Sequence, residues 1–375
     1  MPESETNSLV LRINNHKTAS CRKGKIILLY VIPNTMKNSI ITFAILILIA
    51  AFQTEAQELP VAFKTDTAFE NISTVKVLGY FSKVNVKKSR DNKLRLEAIL
   101  RAQDQKGYGI KPTITNRVLE LRVLYPQDGW TSHIGELTLY LPDSVNIDIQ
   151  TTSGYCNVYN ISPRKMNIST KSGKININEC NSNVLLASVS GDIFVDELTG
   201  SLNIKTKTGD IRILRATGDV TTHTTLGATR MATVNGNIKT ESTSGKQEIS
   251  DVTGDILANS VSGLIKISDA KGMIRVLGSK GDVQLYQTTG VLDIKTSKGN
   301  QTGTKITLTG NSKFTSTEGK IKMRFNKPEN GIKYQLISEK GYLFAMGKSK
   351  KKKLTIGKGE ILVEASSTTG TQSFF

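Results

Sequence analysis

Apolar and polar positions along this chain are phased by glycine. From Gly191 to Gly299 a glycine stands at every ninth residue, and the second and fourth residues behind it are mostly apolar with polar residues between them. Ser190-Gly191-Asp192-Ile193-Phe194-Val195, Thr208-Gly209-Asp210-Ile211-Arg212-Ile213 and Lys280-Gly281-Asp282-Val283-Gln284-Leu285 show the pattern. A period of two marks a strand with one buried face. Small hydroxyl residues before glycine, and Asp, Asn or Lys after it, suit a tight turn that a side chain would obstruct. Each glycine is thus a corner that feeds a short strand, and so many in register mean a stacked repeat.

The full repeat is eighteen residues long, because successive halves differ. In one half the seventh position after glycine is apolar or small, as at Cys180, Leu198, Ala216, Val234, Val252 and Ala270. In the other half that place is mostly polar, and Thr or Ser commonly stands one residue earlier, as at Thr206, Thr224, Ser242, Ser260 and Thr296. The spacing predicts an all-β parallel β-solenoid with two strands and two corners per rung. Roughly nine rungs fit between Gly154 and Gly319, a stack of about 40 to 45 Å at about 4.8 Å per rung. Pro163, Ser182 and the step from 299 to 310 break the register and mark irregular end rungs.

Strand-like segments on both flanks predict β-rich caps, since a solenoid end exposes unpaired backbone. They include Thr74 to Leu78, Lys83 to Lys87, Lys93 to Leu100, Val118 to Leu124 and Leu137 to Leu141. The expected layout is an upstream extension (1–35), a signal peptide (36–56), an N-terminal cap (57–150), the solenoid (151–320) and a C-terminal cap (321–375).

Met36-Lys37-Asn38, the apolar run Ile40 to Phe52 and the small-residue stretch ending at Ala56-Gln57 read as a secretory signal cleaved between Ala56 and Gln57. The run is shorter than a bilayer span, which makes export to the cell surface or periplasm the expectation and an uncleaved inner-membrane anchor at 38–56 the alternative. No cysteine near the cleavage site indicates lipid attachment. Cys156 and Cys180 take core positions of the repeat and read as buried thiols, with a disulfide left open.

Charge adds a preference for acidic surroundings. The chain carries +18, and beyond residue 56 there are 44 Lys or Arg against 29 Asp or Glu, which leaves +15. An anionic glycan or an envelope protein is the expected partner, with peripheral contact to a membrane surface and no preference for nucleic acid; equally, outward strand positions need solvated charge. The run at Lys348, Lys350, Lys351, Lys352 and Lys353 lies between two strand-like segments and reads as a hairpin tip that could also contact anions. The closing Ser-Phe-Phe is also the shape of an outer-membrane insertion signal, but a stacked solenoid offers no barrel.

Candidate chemistry is sparse. His133 and His223 are far apart, and no Gly-x-Ser-x-Gly or His-Glu-x-x-His stands near them, so no catalytic, cofactor or metal residues are assigned. Asp192, Asp210, Asp219, Asp255 and Asp282 lack the paired glycines of calcium-binding nonapeptide rolls and read as turn residues.

The phrase from Gly135 to Gly154, with Leu139-Tyr140-Leu141-Pro142 and then Val145-Asn146-Ile147-Asp148-Ile149 into Thr152-Ser153-Gly154, is followed by repeated Ser/Thr-Gly-Asp/Lys-Ile. Over about residues 60 to 325 it resembles the bacterial putative-adhesin family of unknown function. That resemblance implies an exported, non-enzymatic β-solenoid of the cell envelope and carries over no site residues. A periplasmic envelope-stress scaffold is the first alternative. A β-helix enzyme that processes polysaccharide is the second, although the unbroken spacing leaves no loops to wall a cleft.

Overall fold

The computed structural model describes residues 11–13, 17–22, 25–27, 58–127, 132–326 and 331–375. It divides into two compact units, 1–58 and 59–375. In the first, three short strands, Leu11–Ile13, Lys17–Arg22 and Lys25–Ile27, pair antiparallel. The signal segment, its cleavage pair Ala56 and Gln57, and Trp130 lie outside the described residues.

The second unit is a parallel β-solenoid of about ten turns, with about 18 residues per turn. One coil shows the plan. Ile193–Thr199 forms a long side and Leu202–Thr206 a short side. The next coil repeats both, Ile193 pairing with Ile211 and Leu202 with Val220. Backbone bonds join the coils at the corners as well, as where Gly200 N–H donates to Thr217 C=O at 2.8 Å.

Each repeated rung also turns at a third place that the sequence does not mark. The long side carries a left-handed residue within it, and the positions recur every eighteen residues: Glu179 (φ 53°), Glu197 (53°), Arg215 (49°), Thr233 (57°), Asp251 (53°) and Asp269 (53°). The bend breaks the alternation, so that Ile193, Val195 and Leu198 all point inward while Glu197 stands exposed. None of these residues is glycine or asparagine, which is why spacing and turn chemistry predict only two corners.

The nine-residue glycine spacing is the sum of two eighteen-residue columns with different physical demands. In one, Gly200, Gly218, Gly236, Gly254, Gly272 and Gly290 adopt φ between +124° and +155°. In both, the place of each Cβ is filled by a carbonyl of the preceding coil, and in the second column, which runs through Gly191, Gly209 and Gly227, that lack of space is the only restriction because φ lies outside the left-handed region. The buried Ser/Thr column three residues upstream pins the same turn: Gly209 N–H donates to Thr206 Oγ1 at 3.2 Å and Gly263 N–H to Ser260 Oγ at 2.8 Å.

Inside, aliphatic side chains stack in lines such as Ile193–Ile211 and Ile177–Val195–Ile213, all at most 1% exposed. The middle rungs are more polar, with Thr222 Oγ1 donating to Thr240 Oγ1 at 2.8 Å in the core. Toward the C-terminal end the core becomes aromatic, where Phe314, Phe325, Tyr334 and Phe374 pack with ring centroids 5.7 to 6.4 Å apart.

Both ends close by changes of strand direction. At the start, Thr74–Tyr80 and Lys83–Lys88 form a first coil in parallel register with Asn146–Thr151 and Cys156–Tyr159. Outside it lie antiparallel strands: Leu94–Ala102 against His133–Leu141, Val61–Phe69 beyond it, and Gly109–Thr115 against Val118–Leu124. Pro112 and Lys111 sit on that last edge, where a missing N–H and a charge discourage further pairing.

At the other end the chain folds out of order. Ile332–Ala345 forms a coil one step too far along, Lys348–Ile356 returns antiparallel to it, and Ile361–Ser367 with Gln372–Phe374 then fills the vacant step. The final coil is therefore paired on both sides, to Ser312–Ser316 and Ile321–Phe325 before it and to Ile332–Ala345 after it. The irregular step after Gly299 is a twenty-residue coil, with Gln301 paired to Ile321 and Asp293 to Lys313.

Candidate binding faces

Because coils stack in register, outward side chains form straight columns. Beside the third corner, Thr199, Thr217, Asn235, Thr253 and Lys271 are in line and exposed, a strip of hydroxyl and amide groups ending in a cation. On the short side a shallow trough of about 620 Å³ is lined by Asn167, Asn183, Leu185, Ser201 and Asn203, and another of about 310 Å³ by Asp219, Asn237, Lys239, Leu257 and Arg275. On the long side Arg212, Arg230 and Lys266 flank a trough of about 470 Å³ whose floor is small, with Ala232, Ser250 and Ser268. The relief comes from long and short side chains alternating on flat strands, and no inserted loop walls any of the three.

The turn aspartates have a structural use. Asp192 Oδ1 accepts the backbone N–H of Asp210 at 3.1 Å, Asp210 that of Ala228 at 2.8 Å, and Asp282 that of Asn300 at 2.8 Å. Asp219 and Asp255 do the same for Asn237 and Met273 at 3.2 and 2.8 Å. Each carboxylate thus ties its corner to the next coil. Among the described residues no three His, Cys, Asp or Glu side chains gather as metal ligands would.

The two histidines are not brought together. His133 stands in an aromatic group at the N-terminal end, with Phe81 at 4.1 Å between centroids and the Tyr108 hydroxyl 3.2 Å from Nδ1. Partial burial pushes its pKa down. His223 is exposed on the short side, with Nδ1 3.3 Å from Glu241. Hydrogen bonds from Lys239 and then His223 hold the Glu241 carboxyl below the usual range. Cys156 and Cys180 are buried free thiols, and burial pushes Cys156 up to about 12.

The lysine run is placed differently from the expectation. The hairpin tip is Met346-Gly347, both with positive φ, while Lys348, Lys350, Lys351, Lys352 and Lys353 lie on the returning strand Lys348–Ile356, the exposed edge of the solenoid. Lys350 and Lys348 pair with Leu343 and Ala345, whose side chains point into the core. Their cations thus sit over the open end of the core, where another coil would otherwise stack.

Charge is unevenly distributed along the solenoid, a feature the overall sum hides. In the middle coils three arginines are paired along the stack, Arg215 with Asp196 and Glu197 at 2.6 and 2.9 Å, Arg230 with Glu248 at 3.0 Å and Arg275 with Asp293 at 3.1 Å, while Arg212 lies over the Phe194 ring. Beyond Asp293, the last aspartate, 16 Lys or Arg face 5 Glu. Among the described residues Lys313, Lys320, Lys322, Lys333 and Lys340 have no carboxylate within 4.0 Å. The asymmetry is countable in the sequence, but which cations are unpaired depends on which columns they occupy.

The model of the family described as Toastrack DUF4097 matches residues 132–232 and again 216–371. No curated protein matches the chain. Among solved structures, a putative cell adhesion protein from Clostridium sporogenes is 11% identical over 83% of this chain and 99% of its own, with a TM-score of 0.21. A putative adhesin from Parabacteroides distasonis is 12% identical over 70% and 96%, with a TM-score of 0.33. One from Parabacteroides merdae is 13% identical over 70% and 95%, with a TM-score of 0.28. Among the described residues no helix is long and apolar enough to cross a membrane.

Proposed function

We propose, for a chain that belongs to the Toastrack DUF4097 family, the role of an exported, non-enzymatic binding rod of the bacterial cell envelope, an adhesin in the sense that it holds glycan or envelope protein through its repeated faces. The observation that carries this reading is the columnar surface. Thr199, Thr217, Asn235 and Thr253 offer the same kind of hydrogen-bonding group once per coil, in line and exposed. A polymer with a regular repeat meets many such groups at once. Each contact is weak, but joined contacts multiply through effective concentration. Shallow, unwalled troughs suit holding a chain more than enclosing one bond for chemistry.

Protease shaving of intact producing cells, with a periplasmic protein as lysis control, tests the location. Loss of residues 58–375 from whole cells is expected. Protection until the outer membrane is breached would overturn the adhesin reading in favour of a periplasmic scaffold. Retardation of the protein in gels cast with bacterial or host polysaccharides tests the ligand class. A Thr199→Val, Thr217→Val, Thr253→Val variant is expected to lose most of that retardation, and steady hydrolysis of the polysaccharide by the protein would overturn the non-enzymatic role.

A further inference from the structure

The long side of the last coils carries a surface unlike the rest of the solenoid. Ile321–Phe325, Gln372–Phe374 and the latter half of Ile332–Ala345 lie side by side, followed by the edge strand Lys348–Ile356. Their outward residues fall in rows. Lys322, Ser373, Phe344 and Ser349 make one line through the paired positions. Lys320 and Arg324 flank Lys322, while Thr371 and Phe375 flank Ser373. Tyr342 stands beside Phe344 and pairs with Lys351.

Three properties coincide there. No acidic side chain lies in these rows; the nearby Glu318 and Glu339 are at the corner, and Glu364 is on the short side. Among the described residues the cations are unpaired by carboxylates, and two sit over aromatic rings: Arg324 is 5.5 Å from the Phe375 centroid and Lys351 4.7 Å from that of Tyr342. Tyr342 is 54% exposed and Phe375 41%, with Phe344 packed 5.2 Å from Phe375. A solvated polyanion asks only for cations. Large aromatic side chains left in water among cations, on a flat face at the end of a rod, match a headgroup layer, where anionic phosphates meet the lysines and amphipathic rings settle at the interface.

We infer that this face, built from Lys320, Lys322, Arg324, Tyr342, Lys351 and Phe375, docks the rod on an anionic lipid surface. The inference does not depend on what the columns of the middle coils hold.

Flotation of the full chain with vesicles tests it. Phosphatidylcholine alone sets the baseline, because the chain also contains the apolar run 40–52, and phosphatidylglycerol is then mixed in. The expected result is binding that rises with phosphatidylglycerol. Lys320→Gln, Lys322→Gln, Arg324→Gln together should weaken it on the order of a hundredfold, roughly fivefold per cation. Lys171→Gln, Lys205→Gln, Lys207→Gln removes equal charge from the other end of the solenoid and should change it little. Equal losses in the two variants would mean attraction by net charge and would overturn the assignment. Tyr342→Ser with Phe375→Ser separates lipid from any phosphate-bearing polymer. It should abolish the fraction that stays bound at high salt, where bare charge attraction is screened. Binding unchanged by that pair, or fully displaced by soluble polyphosphate, would overturn the lipid surface as the partner.

Discussion

The carbonyl oxygen of Gly191 occupies the space that a Cβ on Gly209 would need, and Gly209 in turn blocks Gly227. Neither glycine lies in the left-handed region, so the requirement is one of contact between coils. Gly209→Ala should therefore destabilise the protein by about 3 kcal/mol, as overpacking against fixed backbone does. Gly331→Ala, where nothing among the described residues lies within 4 Å of the added carbon, should change little. Denaturant midpoints of the two variants check this, and equal shifts would count against the contact account.

Thr229 is fully buried between Ile211 and Gln247 in one core column, and its hydroxyl has no partner among the described residues. A hydroxyl held from water without a hydrogen bond costs more than it returns. Thr229→Val keeps the shape and removes that group, so stability should rise by about 1 kcal/mol. A fall in the unfolding midpoint would show instead that the hydroxyl is satisfied.

The Cys156 thiol, pushed up by burial from 9.0 to about 12, keeps its proton in the fold at pH values where the unfolded chain releases it. Its raised pKa favours the folded state fully below about pH 9, and that contribution is lost as pH climbs from 9 toward 12. Wild type should lose stability over that range more steeply than Cys156→Ala. Iodoacetamide should leave Cys156 unmodified in native protein at pH 8 and label it after unfolding, as read by mass spectrometry.

Lys348 and Lys350 place their charges over the open end of the core, on the last edge strand. Lys348→Val with Lys350→Val would leave an apolar end with unpaired backbone, a template for another solenoid. Concentration-dependent end-to-end association is expected, visible by sedimentation velocity. A variant that stays as dispersed as wild type would mean that the lysines do not guard this edge.

The alternation after each glycine, the columns through Leu198 and Ala216, and the Ser/Thr column through Thr206 and Ser260 together determined the solenoid, its eighteen-residue coil and the parts that face inward. A stacked repeat writes each of its contacts many times into the sequence, so its period and inward face can be read without long-range information. The third corner could not be read this way, because Glu197, Arg215 and Thr233 have no shared turn chemistry, and neighbouring coils hold them in a conformation their own preferences oppose. The interleaved last coil was equally hidden. Ile361–Ser367 pairs with Ser312–Ser316, and spacing carries no signal for a pairing that skips the intervening chain. Phe375 likewise reaches Arg324 on one side and Phe344 on the other only because that coil is inserted out of order. The sequence alone thus decided the repeated body of this protein, while the tertiary structure decided its ends and the face they build.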